Sequence, residues 1–194
     1  INVNSDNYYD LGSLTNKYHN STSARFEATK QFNNWGVKSS FSFILTAVDG
    51  TDAKGNTIAQ ANVPMPTTEV TKKSATSSQN AVFDAIEYNA IGVYNYTIHE
   101  ELPEGVDKDH PTGDDHITYD TSVHHVTVTV TDSDNNGQLE VAVVYSDDAD
   151  VDYGNGGTKP AERALFENEY FNGTSANFEA TKQFNNWGVK SSFS

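Results

Sequence analysis

Residues 20–42 read NSTSARFEATKQFNNWGVKSSFS and residues 172–194 read NGTSANFEATKQFNNWGVKSSFS, so 21 of 23 positions recur at an offset of 152 residues, from Asn20 to Asn172. Self-similarity at a period as long as a whole domain restricts the chain to a tandem array of one folding unit. The same offset sets LTNKYHN (14–20) over FENEYFN (166–172), which superposes Asn16 on Asn168 and Tyr18 on Tyr170. The repeat therefore predicts that residues 1–19 end a preceding copy, residues 20–172 form one complete unit and residues 173–194 begin the following copy. On this reading the chain is an interior piece of a longer array. Near-identical units add length rather than new chemistry, which favours a stalk or fibre over a turnover enzyme.

One unit of this size is ample for a single domain with its own core. Ten Phe, ten Tyr and two Trp, with long stretches rich in Val, Ile and Thr, suit a pleated, half-buried surface better than a helix. The expected fold class is all-β. A formal net charge of −15 opposes binding to nucleic-acid phosphates or to an anionic membrane surface. Cysteine is absent, which removes disulfides, thiolate metal sites and thiol nucleophiles from consideration. Any covalent staple must use other side chains. No apolar run approaches the roughly 18 residues needed to span a bilayer. Low Lys content and abundant Asn, Thr, Asp and Ser suit a secreted surface protein.

Strand signals run through the complete unit. Residues 24–32 (ARFEATKQF) alternate, Gly36 marks a turn, and Phe41, Phe43 and Leu45 form an inward set in the next strand. Residues 49–80 are polar, contain Pro64 and Pro66, and read as a long excursion or loop with room for a short strand. Residues 91–100 (IGVYNYTIHE) alternate again, and an acidic loop from Glu101 to Asp115 follows. Residues 123–132 and 137–146 predict a hairpin joined through Asp134, Asn135, Asn136 and Gly137, where Asn-Gly tolerates positive φ. A YGNGG linker (153–157) leads to the last strand, RALFENEYF. The sum is about seven strands with one long insertion, consistent with a Greek-key sandwich.

Strand alternation also sorts side chains between two faces. Lys30 shares the parity of Phe26, Ala28 and Phe32; Glu100 that of Tyr94, Tyr96 and Ile98; Asn168 that of Phe166 and Tyr170. Three strands thus each turn one polar group toward the core, where an unpaired charge costs several kcal/mol. Two readings fit. In one, Lys30 and Glu100 form a buried ion pair with Asn168 as hydrogen-bond partner, or Lys30 reaches to water at a strand end. In the other, desolvation leaves the lysine amine neutral and nucleophilic and the glutamate protonated. The acid then hydrogen-bonds the Asn168 carboxamide oxygen and passes a proton to departing ammonia, leaving a Lys–Asn amide.

The order ATK in the first strand, Gly92-x-Tyr94-x-Tyr96-x-Ile98-x-Glu100, ITYDT (117–121) running into HHVTVTVTD, and a terminal Phe166-x-Asn168-x-Tyr170 resembles the Gram-positive pilin isopeptide-linkage domain, of the FctA-type, CnaB-like group. The resemblance covers nearly all of residues 25–171. It implies a CnaB-like, inverse-immunoglobulin Greek-key β-sandwich in a cell-wall-anchored, extracellular pilus or adhesin stalk. By the same resemblance, Lys30 is joined to Asn168 in an isopeptide bond with Glu100 as its catalytic residue. Asn16 and Lys182 are then the equivalent positions of the neighbouring copies, expected to stay unreacted because neither flank supplies its own Glu. The implied partners are neighbouring repeats of the same polypeptide, with no cofactor and no turnover activity.

The alternative reading is a ligand- or glycan-binding adhesin module that meets a host surface receptor, stabilised by calcium. DSDNNG (Asp132–Gly137) matches the opening of an EF-hand loop, yet its twelfth position is Val143 and strands flank it, so a hairpin turn is favoured and no metal site is assigned. Asp107, Asp109, His110, Asp114, Asp115 and His116 form a second acidic group, read as a solvated loop. His124 and His125 fall on opposite faces of one strand without a nucleophile motif. Trp35 and Trp187 read as core or interface aromatics.

Overall fold

Alternation of apolar and polar residues becomes a run of extended strands in the computed structural model, which describes residues 20–66, 72–146, 151–152, 158–159 and 164–173. In chain order these are β1 (Thr22–Ala24), β2 (Glu27–Phe32), β3 (Phe41–Asp52), β4 (Thr57–Ile58), β5 (Lys72–Ala75), β6 (Ala81–Val82), β7 (Ile86–Tyr88), β8 (Gly92–Glu100), β9 (Ile117–Thr118), β10 (Val123–Thr131), β11 (Glu140–Ser146), β12 (Val151–Asp152), β13 (Thr158–Lys159) and β14 (Ala164–Tyr170). One 3-10 turn spans Gln60–Asn62, and no α-helix occurs among the described residues. The fold is all-β, as the composition predicts.

The long strands form two facing sheets. One runs in the order β11-β10-β8-β3-β4, with β5 also paired to β3, and the other in the order β6-β2-β14-β9. Alternation is what lets them pack: β8 buries every second residue from Gly92 to Glu100, and β10 buries His124, Val126, Val128 and Val130. From the other sheet Phe26, Ala28, Lys30, Phe32, Ala164, Phe166 and Asn168 face inward. The two sets meet at Phe26 against Tyr96, with ring centroids 4.9 Å apart, and at Phe43 against Phe166, 4.8 Å apart.

In the smaller sheet β14 lies parallel to β2, with Phe166 opposite Lys30 and Asn168 opposite Phe32. Parallel neighbours require a long crossover. Here the connection is almost the whole domain, so the first and last long strands close it side by side.

Within residues 49–66 and 72–80 the excursion holds short strands. β3 continues to Asp52, and β4 and β5 both pair with it. These added strands are two and four residues long. A segment so short carries no readable alternation, which is why a polar excursion conceals it.

The β10–β11 hairpin forms as expected, with a longer loop than the Asn-Gly signal implies. Pairing starts at Thr131 with Glu140, and positive φ falls at Asn135 and Gly137 rather than at Asn136. Asp132 accepts the Gly137 N–H at 3.1 Å and Asp134 accepts the Asn136 N–H at 3.1 Å, so both carboxylates serve the turn. Strands flank this segment, unlike an EF-hand loop. Asp107 likewise accepts the main-chain N–H groups of Asp109 and His110 within its own loop. Among the described residues no three His, Asp or Glu side chains converge as a metal site. The YGNGG linker, Asn16, Lys182 and Trp187 lie outside the described residues.

Candidate functional site

Lys30, Glu100 and Asn168 come from β2, β8 and β14, two strands of one sheet and one of the other, and all three face the interior between them. Their parity brings them together as the alternation predicts. Lys30 Nζ lies 2.6 Å from Glu100 Oε2, and both side chains are entirely shielded from solvent. Asn168 Nδ2 donates to Glu100 Oε1 at 2.8 Å. One carboxyl group therefore touches both the amine and the carboxamide.

The surroundings are apolar. Lys30 Nζ sits 4.8 Å from the centre of the Phe41 ring, and Phe41 packs edge-on against Phe32 at 4.9 Å and Trp35 at 5.6 Å. Trp35 is thus a half-buried cover for this end of the core. Phe166, two residues before Asn168, is held between Phe43 and the imidazole of His124, whose centroid is 4.4 Å away. His124 also lies 3.2 Å from the Ser122 hydroxyl, and His125 is exposed on the opposite face.

Burial decides the electrostatics. Loss of hydration pushes the Lys30 amine below its ordinary pKa, although the adjacent Glu100 carboxylate acts in the opposite direction. Loss of hydration likewise pushes the Glu100 carboxyl above its ordinary pKa, against the opposing influence of Lys30. Both shifts favour the uncharged forms, a neutral amine beside a neutral acid.

The orientation of the carboxamide differs from the sequence expectation. Asn168 Oδ1 accepts the main-chain N–H of Asp120 at 2.7 Å. A main-chain N–H only donates, so the atom it faces must be the oxygen, and the nitrogen must face Glu100. Glu100 therefore stands between the lysine amine and the carboxamide nitrogen, while a backbone group holds the carbonyl. No residue type encodes that donor. The only sequence sign of it is the ITYDT segment containing Asp120.

Residues 26–171 match the FctA family, described as the Spy0128-like isopeptide containing domain. No curated protein matches the chain. Among solved structures, the major pilin protein T-13 from Streptococcus pyogenes is 16% identical, with 79% of this chain and 54% of that chain covered and a TM-score of 0.38. The T3.2 major pilin of the same organism is 18% identical, with 77% of this chain and 54% of that chain covered, at a TM-score of 0.38. A further Streptococcus pyogenes major pilin is 13% identical over 76% of this chain and 50% of that chain, again at a TM-score of 0.38. The chain spans about half the length of these pilins. An all-β domain with this buried trio, matched over most of its length, belongs to the FctA family of Spy0128-like isopeptide containing domains.

Proposed function

We propose that the chain is a stalk repeat of a cell-wall-anchored surface pilus or adhesin, locked by a self-formed isopeptide bond between Lys30 and Asn168. The observation that carries this reading is the Glu100 carboxyl, within hydrogen-bond reach of both reacting nitrogens. In the reaction the neutral Lys30 Nζ attacks Cγ of Asn168, forming the N–C bond. Glu100 receives the proton released by the amine and delivers one to Nδ2; the Cγ–Nδ2 bond breaks and ammonia departs. One amide replaces another, so no energy source or cofactor is required. Holding amine and amide against one shared carboxyl supplies the effective molarity that free side chains lack.

The complete repeat is residues 20–172, with the end of one neighbour before it and the start of another after it. Asn16 and Lys182, which lie outside the described residues, are by the 152-residue offset the equivalents of Asn168 and Lys30 in the neighbouring repeats. Neighbouring repeats of the same polypeptide are the partners. Tension entering near residue 25 and leaving near residue 171 passes through the bond between the first and last long strands.

Intact mass tests the reading. The folded protein is expected to weigh about 17 Da less than its sequence mass, for one ammonia lost. A chain at its full sequence mass would refute the bond. Glu100→Ala is expected to restore full mass and lower the melting temperature while leaving the far-ultraviolet spectrum that of a β-protein.

A further inference from the structure

The contacts of Asp120 extend beyond the trio. β9 pairs with β14 at Tyr170 with Ile117 and at Glu169 with Thr118, and the ladder stops there. Two residues on, Asp120 does not continue the main-chain pairing. Its carboxylate Oδ2 accepts the Glu167 N–H of β14 at 2.9 Å, and its own N–H turns to the Asn168 side-chain oxygen at 2.7 Å. Oδ1 accepts the Ser122 N–H at 3.0 Å, which closes the local turn. Asp120 thereby grips the last strand twice, through its carboxylate at the Glu167 main chain and through its own main chain at the Asn168 side chain.

We infer that Asp120 is a positioning residue for amide formation: its carboxylate, anchored on β14 and on Ser122, holds its main-chain N–H on the Asn168 carbonyl oxygen. This rests on the isopeptide reading above. As Lys30 adds to Cγ, the carbonyl electron pair moves to Oδ1, and a donor already in place stabilises that charge without reorganising. The donor also fixes the side-chain amide so that Nδ2, and not Oδ1, faces the Glu100 carboxyl that must protonate it. Polarising the carbonyl and protonating the leaving nitrogen thus fall to different groups.

The full chain, synthesised cell-free with a pulse of isotopic label, is followed by intact mass against time in wild-type, Asp120→Ala and Asp120→Asn forms. Asp120→Ala keeps the main-chain N–H but no longer holds it in place, and is expected to slow the loss of about 17 Da by about tenfold to a hundredfold, less than the roughly hundredfold to thousandfold cost of losing an oxyanion donor outright. Asp120→Asn keeps an acceptor oxygen without the charge and is expected to recover most of the rate. Loss at the wild-type rate in Asp120→Ala overturns the inference and leaves the isopeptide reading standing. An Asp120→Asn chain as slow as Asp120→Ala assigns the effect to charge and overturns the clamp. A wild-type chain that never loses mass removes the isopeptide reading and this inference together.

Should Asp120→Ala fail to fold, amide hydrogen exchange in a Lys30→Met chain, where the carboxamide stays unreacted, provides the second measurement. A slowly exchanging Asp120 N–H that becomes fast on adding Asn168→Ala supports the clamp. Exchange at the rate of an open loop overturns it.

Discussion

Lys30 and Glu100 share one proton at neutral pH, whether as an ion pair or as neutral amine and neutral acid. Burial lowers the lysine from its ordinary value of 10.5 and raises the glutamate from 4.5, so the neutral arrangement gains over the charged one. The signs set a pH profile for bond formation. Toward acid, the pair takes a second proton and the amine ceases to be a nucleophile; the lowered lysine pKa delays this to a lower pH than an ordinary lysine would allow. Toward alkali, the pair loses its last proton and no acid remains to expel ammonia; the raised glutamate pKa delays this beyond the ordinary carboxylate range. The rate of mass loss is therefore expected to be bell-shaped in pH. A rate that climbs steadily toward pH 10.5 would contradict it. Glu100→Gln, similar in shape but without a transferable proton, is expected to give no mass loss at any pH. At this scale parity was enough to bring Lys30, Glu100 and Asn168 to one face each. It gave no access to the Asp120 N–H, because a main-chain donor belongs to every residue and only tertiary structure aims it.

Element by element, the strands readable from sequence were those long enough to alternate: β2, β3, β8, β10, β11 and β14. The two- to four-residue strands β4, β5, β6 and β7 were not, since their pairing depends on the neighbour rather than on a pattern of their own. The pairing of β3 with β8 shifts register between Val48 and Thr51. Two glycines make that irregularity possible. A Cβ on Gly50 would stand 2.5 Å from the Val93 carbonyl oxygen, and one on Gly92 would stand 2.8 Å from the Thr51 carbonyl oxygen. Gly92 opens the aromatic segment that ends in Glu100, so its motif position marks a close approach of two backbones rather than a turn. Gly50→Ala is expected to destabilise the fold by about 1–3 kcal/mol, as overpacking a well-filled site does. Thermal unfolding checks this, and an unchanged melting temperature would show that the strands can separate at the bulge without cost. The mass shift is expected to survive, because Glu100 lies at the other end of β8.

For the whole molecule, the repeat supplied the proposed boundaries, and the family match over residues 26–171 falls within them. Its period says nothing of how one unit sits against the next. A bond from Lys30 to Asn168 would close a loop of 138 residues, from position 30 to position 168. Treated as a disulfide of that span, it removes denatured-state entropy worth about 5 kcal/mol, and reductants leave it intact. Asn168→Ala is therefore expected to unfold at markedly lower denaturant concentration. In single-molecule stretching it should release the chain between β2 and β14, while the wild type should show no such lengthening. Equal extension of the two would refute a load-bearing link. The parallel pairing of β2 with β14 matters even without that link. A pull on the chain ahead of Glu27 and behind Tyr170 acts on opposite ends of two neighbouring strands, so the hydrogen bonds between them are loaded together in shear instead of being unzipped one by one. A unit without the link is thereby already braced against tugging.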